Sequence, residues 1–121
     1  MARILVIDDD ARTRTTIRRV LEGAGHEVVE ARNGKVAISL YGKTPADLVI
    51  SDMIMPEAGG AETIAGLRKD YPEVKIIAMS GGGRIGPDAY LRVAEKLGAS
   101  HTLTKPFGKK DLLEAVQAVL G

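Results

Sequence analysis

The chain has 121 residues, a length that fits a single compact domain. It has no cysteine, which excludes disulfides and thiolate metal sites, and its two histidines, His26 and His101, are too few for a histidine-rich site. Seventeen basic and sixteen acidic residues leave a net charge of +1, so composition gives no general attraction to nucleic acid or to an anionic membrane.

Membrane insertion and export are also unexpected from the sequence. No apolar run approaches the roughly 18 residues that a membrane-spanning helix needs. The first apolar run, residues 4–7, is too short for a signal peptide and is followed at once by acids. We therefore expect a cytoplasmic protein.

Short apolar segments rich in β-branched residues alternate with segments of helical spacing. In chain order, strands are predicted at residues 4–7, 27–31, 46–51, 74–80 and 100–104. The second strand is the least apolar, which favours a position near a sheet edge. Helices are predicted after each strand, ending near Gly23, Gly42, Pro72, Gly98 and the end of the chain.

This alternation predicts βαβ units and a parallel sheet. Right-handed crossovers then give an α/β fold, a doubly wound five-stranded parallel sheet flanked by five helices. No linker or second domain is apparent, so we expect a single domain over residues 1–121.

Polar side chains follow four of the five predicted strands at the point where each strand ends. They are Asp8, Asp9 and Asp10 after the first strand, Asp52 after the third, Ser80 after the fourth and Lys105 after the fifth. Ligands of doubly wound folds bind beyond the carboxyl ends of the strands. The sequence therefore predicts that these side chains share one site.

The chemistry of these residues suits a metal and a phosphoryl group. Asp8, Asp9 and Asp52 offer the hard oxygen ligands that suit Mg²⁺, and a cation would offset their mutual repulsion. Ser80 and Lys105 offer a hydrogen bond and positive charge to an anion. A phosphoryl group that bridges metal, hydroxyl and ammonium would use all five, and one carboxylate could be a nucleophile that forms an acyl phosphate.

Each residue taken alone also has a simpler explanation. Asp10 lies where a helix starts, so we interpret it as a helix cap rather than as a ligand. Asp8 and Asp9 could be surface loop charges, and Ser80 a loop hydroxyl. Asp52 alone could be a strand-end turn residue and Lys105 a solvated lysine before a turn. Their occurrence together at the ends of four strands favours the site.

Four motifs occur in order along the chain: ILVIDDD (4–10), DLVISDMIMPEAGG (47–60), IIAMS (76–80) and LTKPF (103–107). Each alone is common, but their order and spacing resemble a response-regulator receiver domain of two-component signalling, similar to the chemotaxis regulators. The resemblance covers essentially the whole chain. It implies the flavodoxin-like receiver topology.

The resemblance also implies roles for the acids. Asp52 matches the phosphoacceptor that takes a phosphoryl group from a histidine kinase. Asp9 matches a direct Mg²⁺ ligand and Asp8 an acid at the same metal, often through water. The backbone carbonyl of Ile54 would complete the metal site.

Three further residues match the same pattern. Ser80 matches the Ser or Thr that hydrogen-bonds the phosphoryl oxygen and moves on activation. Lys105 matches the lysine that pairs with phosphate, or with Asp52 beforehand. Pro106 matches the proline of a cis Lys–Pro bond, which would aim the lysine inward.

Three features depart from the common receiver pattern. The glycine-rich loop at 81–87 holds a surplus of about three residues, and we expect it to become ordered on activation. Thr102 stands where many receivers carry Tyr or Phe, so an aromatic switch cannot operate there. Ile54 and Gly82 cannot hydrogen-bond an attacking water through their side chains, so we expect slow self-dephosphorylation.

The first helix is basic, with Arg12, Arg14, Arg18 and Arg19. A solvated helix face is the slightly favoured interpretation, and docking to a kinase or an acidic partner is the alternative.

The sequence thus predicts a phosphorylatable receiver that switches partner binding, with a histidine kinase or a histidine phosphotransfer protein as its partner. We expect no direct nucleic-acid or membrane partner, and a monomer or a phosphorylation-dependent dimer. The downstream partner is unknown. Because Gly121 closely follows the last predicted helix, we expect a stand-alone receiver, with excision from a longer chain as the alternative.

Enzymatic activity is not expected beyond self-catalysed phosphoryl transfer to Asp52 and slow autodephosphorylation. A metal-dependent phosphohydrolase with an Asp nucleophile is disfavoured, because the chain has no cap region and lacks an acid two residues after Asp52. A pseudo-receiver that acts only as a binding module is disfavoured by the intact acids, Ser80 and Lys105.

Overall fold

A computed structural model describes residues 2–53, 60–80, 92 and 95–121 of the chain. In chain order these residues form β1 (Arg3–Ile7), α1 (Ala11–Gly23), β2 (Glu27–Ala31), α2 (Gly34–Lys43), β3 (Leu48–Asp52), α3 (Gly60–Asp70), β4 (Ile76–Ser80), β5 (His101–Thr104) and α4 (Lys109–Leu120). The fourth predicted helix, which ends near Gly98, falls mostly outside the described residues, so the expectation of five flanking helices stays a prediction.

The five strands form one parallel sheet in the order β2-β1-β3-β4-β5. The predicted doubly wound parallel sheet is therefore confirmed. All five residues of β3 and of β4 are buried, as expected for inner strands covered on both faces. The less apolar β2 lies at one edge, as its sequence predicts.

Alternate residues of β1 point to opposite faces of the sheet and enter two separate cores. Ile4 and Val6 pack in one core with buried residues of α1 and α4. Leu5 and Ile7 pack in the other core with buried residues of α2 and α3. Helices thus cover both faces, which leaves the strand ends as the place where polar groups converge.

Two helices begin with a side-chain cap, and the cap at Asp10 is the one predicted above. Asp10 Oδ1 accepts a hydrogen bond from the backbone N–H of Arg12 at 3.0 Å at the start of α1. Asn33 Oδ1 accepts one from the backbone N–H of Val36 at 2.9 Å at the start of α2. These side chains satisfy amide groups that have no partner within the helix.

The second helix ends near Gly42, as predicted, but Gly42 itself lies inside α2, which continues to Lys43 and is capped by Thr44. A Cβ atom at position 42 would lie 2.9 Å from the hydroxyl oxygen of Tyr71. The ring of Tyr71 in turn packs against that of Tyr41, with ring centroids 4.7 Å apart. Gly42 therefore provides space for Tyr71 inside a helix, at the usual cost of glycine there.

None of the helices in the described ranges has both the length and the apolar character needed to cross a bilayer.

Candidate functional site

Four strand ends come together at the carboxyl edge of the sheet. Asp52 and Ser80 are the last residues of β3 and β4. Asp8 and Lys105 are the first residues after β1 and β5. The register pairs Asp52 with Met79 across β3 and β4. The strand ends are held by further backbone bonds, from Asp8 N to Ala31 O at 3.1 Å and from Lys105 N to Ser80 O at 2.8 Å.

Three carboxylates meet at this edge, as the sequence predicts. One oxygen each from Asp8, Asp9 and Asp52 lies within 4.8 Å of the others. Asp8 is 1 % exposed and Asp52 is 6 % exposed, whereas Asp9 is exposed. Two buried carboxylates this close require positive charge nearby, because isolated buried anions are strongly unfavourable.

Lys105 supplies positive charge from the other side of the site. Its Nζ lies 2.9 Å from Asp8 Oδ2 and 3.4 Å from Asp52 Oδ1. Burial disfavours the charged ammonium, but the hydrogen bond to Asp8 and the charge of Asp52 outweigh burial and raise the pKa of Lys105 above its ordinary value. The Lys105–Pro106 peptide bond is cis, as the resemblance implies.

Ser80 is the last residue of β4 and is fully buried. Its hydroxyl oxygen has no hydrogen-bond partner within the described part of the chain. Buried polar side-chain atoms are nearly always hydrogen-bonded, so a buried hydroxyl without such a partner, at the end of the strand next to β3, is a candidate for binding a ligand. A phosphoryl oxygen is a suitable acceptor for this O–H group.

Asp10 does not join the carboxylate cluster of the described residues and instead caps α1, as the sequence predicts. Its second oxygen, Oδ2, accepts the hydroxyl proton of Thr13 at 2.9 Å. The Thr13 hydroxyl and the Arg12 amide lower the pKa of Asp10. The three consecutive acids therefore divide into two cluster members and one cap.

Some of the residues singled out in the sequence lie outside the described ranges, and others are described but are not part of the carboxylate cluster. Ile54 and the loop 81–87 lie outside the described residues. Thr102 is half-buried on β5, next to the exposed His101. His26 Nδ1 accepts the backbone N–H of Ala2 at 3.1 Å, so this histidine has a local structural contact.

Among the described residues, Arg14 contacts the site, although the sequence favours a solvated helix face for it and its basic neighbours. Its Nη1 donates a hydrogen bond to the backbone carbonyl of Asp8 at 2.6 Å. Its Nε donates to Glu30 Oε1 at 3.0 Å. No spacing rule brings α1, β2 and the acidic turn together, and only their adjacency in the fold does so.

The residues present fit Mg²⁺. This ion prefers oxygen ligands, takes one or two carboxylates and keeps several waters. Asp9 is exposed to water, whereas Asp8 and Asp52 have oxygens that already share the Lys105 ammonium. A metal held by these carboxylates would leave Lys105 available to an anion.

The family assignment agrees with this geometry. The response regulator receiver domain family matches residues 4–117. The chemotaxis protein CheY of Thermotoga maritima is 36% identical over 118 residues, which is 97% of this chain and 96% of the relative. The transcriptional regulator NtrC of Azospirillum brasilense is 34% identical over 98% of this chain and 24% of its own length.

Solved structures show the same fold. Chemotaxis protein CheY4 of Vibrio cholerae superposes with a TM-score of 0.89 at 31% identity, covering 99% of both chains. A receiver domain protein from Clostridium thermocellum gives 0.90 at 30% identity, covering 99% of this chain and 94% of the other. The chain therefore belongs to the response regulator receiver domain family of two-component signalling.

Proposed function

We propose that this receiver domain is phosphorylated on Asp52 by a histidine kinase or a histidine phosphotransfer protein, and that phosphorylation switches its binding to a downstream partner. The observation that carries the proposal is the position of the Asp52 carboxylate. It lies 3.4 Å from the Lys105 ammonium and within 4.8 Å of carboxylate oxygens of Asp8 and Asp9. Ser80, whose hydroxyl has no hydrogen-bond partner among the described residues, is the last residue of the adjacent strand.

In the proposed reaction, an Asp52 carboxylate oxygen attacks phosphorus and the bond from phosphorus to the donor histidine nitrogen breaks. The nitrogen keeps the bonding electrons, and Asp52 becomes an acyl phosphate. Mg²⁺ held by Asp8, Asp9 and Asp52, together with the predicted carbonyl ligand Ile54, would supply positive charge toward the phosphoryl oxygens.

Lys105 and Ser80 would bind the product through groups already in place. Lys105 shares its ammonium between Asp8 and Asp52 in the unphosphorylated protein. Once Asp52 is an acyl phosphate, this ammonium would pair with a phosphoryl oxygen, while the Ser80 hydroxyl would donate a hydrogen bond to another. Such fixed charges and donors are the main requirement of phosphoryl transfer.

We propose no turnover of external phosphate esters and only slow self-dephosphorylation. The support is in the sequence, because Ile54 and Gly82 lack side-chain groups that could orient water toward the acyl phosphate. Loss of the acyl phosphate within seconds would argue against this proposal. We also propose a cytoplasmic location and a monomer or phosphorylation-dependent dimer.

The proposal is tested by incubating the protein with acetyl phosphate, with and without Mg²⁺, and measuring intact mass. We expect a mass gain of one phosphoryl group that requires Mg²⁺ and disappears in Asp52→Asn. Asp70→Asn is the matched control, because Asp70 is an exposed acid at the end of α3, and it should be modified like wild type.

Two other results would contradict the proposal in different ways. Steady hydrolysis of p-nitrophenyl phosphate would indicate a phosphohydrolase. No modification by acetyl phosphate, and no change in the amide NMR spectrum with Mg²⁺ and beryllofluoride, would indicate a binding module that is not phosphorylated.

A further inference from the structure

The guanidinium of Arg14 connects α1, β2 and the acidic turn. Arg14 Nη1 donates to the Asp8 carbonyl oxygen at 2.6 Å, and Nε donates to Glu30 Oε1 at 3.0 Å. The side chains of Arg14 and Glu30 are 17% and 24% exposed. Because the pair is largely shielded and the planar guanidinium bridges two acceptors, it is better placed to fix a geometry than an open surface pair.

Glu30 is itself held from a second direction. Arg18 Nη1 donates to Glu30 Oε2, and Arg18 Nε lies 3.3 Å from Glu22 on the same helix. Arg18 therefore shares the Glu30 partner of Arg14, but its hydrogen bonds go to Glu22, Glu30 and the Val28 carbonyl rather than to Asp8. This difference makes Arg18 a matched control for Arg14.

Each of the four polar atoms of Asp8 makes a hydrogen bond, and Arg14 supplies the partner of the backbone carbonyl. The Asp8 amide donates to Ala31 O, Oδ1 accepts the Asp10 amide at 2.9 Å, and Oδ2 accepts Lys105 Nζ. The backbone carbonyl, which sits between Asp8 and Asp9, accepts Arg14. Arg14 thus acts on the orientation of the peptide unit that joins the two acids, through a contact with the backbone.

We propose that Arg14, oriented by Glu30, is a positioning residue for the metal site. It fixes the Asp8–Asp9 peptide so that both carboxylates face Asp52. This inference rests on the proposed function, since it concerns the Mg²⁺ site of the phosphorylation reaction. Groups that orient ligands from outside the ligand set typically change metal affinity by about 10- to 100-fold when they are removed.

Whether Arg14→Gln binds Mg²⁺ more weakly or more tightly than wild type distinguishes a positioning role from an effect of charge alone. Arg14 is a cation close to the metal site, so its charge alone opposes Mg²⁺ binding. If charge were its whole role, Arg14→Gln would bind Mg²⁺ more tightly than wild type. Positioning predicts the opposite, with Mg²⁺ affinity about tenfold weaker in Arg14→Gln.

Two further variants test the positioning role even if Arg14→Gln folds poorly. Arg14→Lys retains the charge but cannot span both Asp8 O and Glu30, so positioning predicts weaker Mg²⁺ binding and a pure charge effect predicts no change. Arg18→Gln removes a cation from the same glutamate without a contact to Asp8. Its Mg²⁺ affinity should remain within about twofold of wild type.

The experiment is a Mg²⁺ titration of the unphosphorylated protein, followed by amide NMR shifts of residues 8–10. A second measurement needs no metal: hydrogen exchange of the Asp10 amide, which bonds Asp8 Oδ1, should accelerate in Arg14→Gln and Arg14→Lys but not in Arg18→Gln. Thermal unfolding in metal-free buffer identifies any variant that is globally destabilised.

Wild-type affinity or tighter Mg²⁺ binding in both folded Arg14 variants, with unchanged Asp10 exchange, would overturn the inference and leave the proposed function intact. If wild type itself fails to bind Mg²⁺, the proposed function fails instead. The two failures are therefore distinguished by the wild-type titration alone.

Discussion

The Lys105 ammonium lies 2.9 Å from a carboxylate oxygen of Asp8, a residue that is 1 % exposed. The two residues are 97 positions apart in the chain, and the parallel sheet brings them together across the ends of β1 and β5. The contact gives a buried carboxylate a counter-ion before any metal is added. It also keeps a cation beside Asp52, the proposed phosphoacceptor.

Removing this counter-ion should destabilise the metal-free protein. In Lys105→Met the buried Asp8 and Asp52 lose their ammonium, so we expect the free energy of unfolding to fall by about 1–3 kcal/mol, less than for a fully buried pair because Lys105 is partly exposed. Added Mg²⁺ should restore part of the loss. Urea denaturation with and without Mg²⁺ measures both effects.

The control for that variant is Lys110→Met. Lys110 is an exposed lysine on α4, 3.8 Å from Glu114. Its replacement should change the free energy of unfolding by no more than about 0.5 kcal/mol. A Lys105→Met protein as stable as wild type would contradict the counter-ion role.

The raised pKa of Lys105 predicts a specific pH dependence. Its pKa in the folded protein exceeds the ordinary value of 10.5. The stability that its pairing adds is therefore fully present below pH 10.5 and is lost as the pH rises through the raised pKa. The difference in unfolding free energy between wild type and Lys105→Met should be constant from neutral pH and shrink only at higher alkaline pH.

Asp10 should behave as a cap and not as a metal ligand. Asp10→Ala removes the acceptor of the Arg12 amide, so its unfolding temperature should fall, whereas Asp10→Asn should lose less because an amide oxygen also caps helices. Both variants should bind Mg²⁺ like wild type. A large loss of Mg²⁺ affinity in Asp10→Asn, measured by titration calorimetry, would make Asp10 part of the metal site.

The lowered pKa of Asp10 also predicts how stability changes at acid pH. Because its pKa lies below the ordinary 3.8, the stability that the ionised group adds is present above pH 3.8 and is lost as pH falls through the lowered pKa. The difference in unfolding temperature between wild type and Asp10→Asn should therefore disappear as the pH falls through the lowered pKa of Asp10.

Ser80→Ala should slow phosphorylation without destabilising the unphosphorylated protein. It removes a fully buried hydroxyl that has no partner in the described residues, so we expect the unphosphorylated protein to be equally stable or up to about 1 kcal/mol more stable. Phosphorylation by acetyl phosphate should be slower, because the donor to the phosphoryl oxygen is gone. A marked loss of stability would instead indicate a structural role for the hydroxyl.

Much of the fold follows from the sequence because buried parallel strands are continuous apolar runs and amphipathic helices separate them. The site follows from the same logic, since strand ends determine where Asp8, Asp52, Ser80 and Lys105 meet. The helix caps at Asp10 and Asn33 are local signals, so they too are predictable. In each case the relevant information lies within a short segment.

The features that sequence reasoning missed depend on contacts between segments. The sequence favours Gly42 as a helix terminator, yet Gly42 lies within α2. There its missing side chain leaves space for the hydroxyl of Tyr71, the residue after α3. The sequence favours a solvated charge at Arg14, yet its guanidinium hydrogen-bonds both Glu30 on the neighbouring strand and the Asp8 carbonyl. Nothing in the local pattern of α1 separates Arg14 from its basic neighbours.

The most direct test of the central claim is to locate the phosphoryl group. After incubation with acetyl phosphate and Mg²⁺, reduction with borohydride converts an acyl phosphate on aspartate into homoserine, which peptide mass spectrometry identifies. The account predicts homoserine at position 52 and unmodified aspartate at positions 8 and 9. Homoserine at position 8 or 9, or at none of the three, would contradict it.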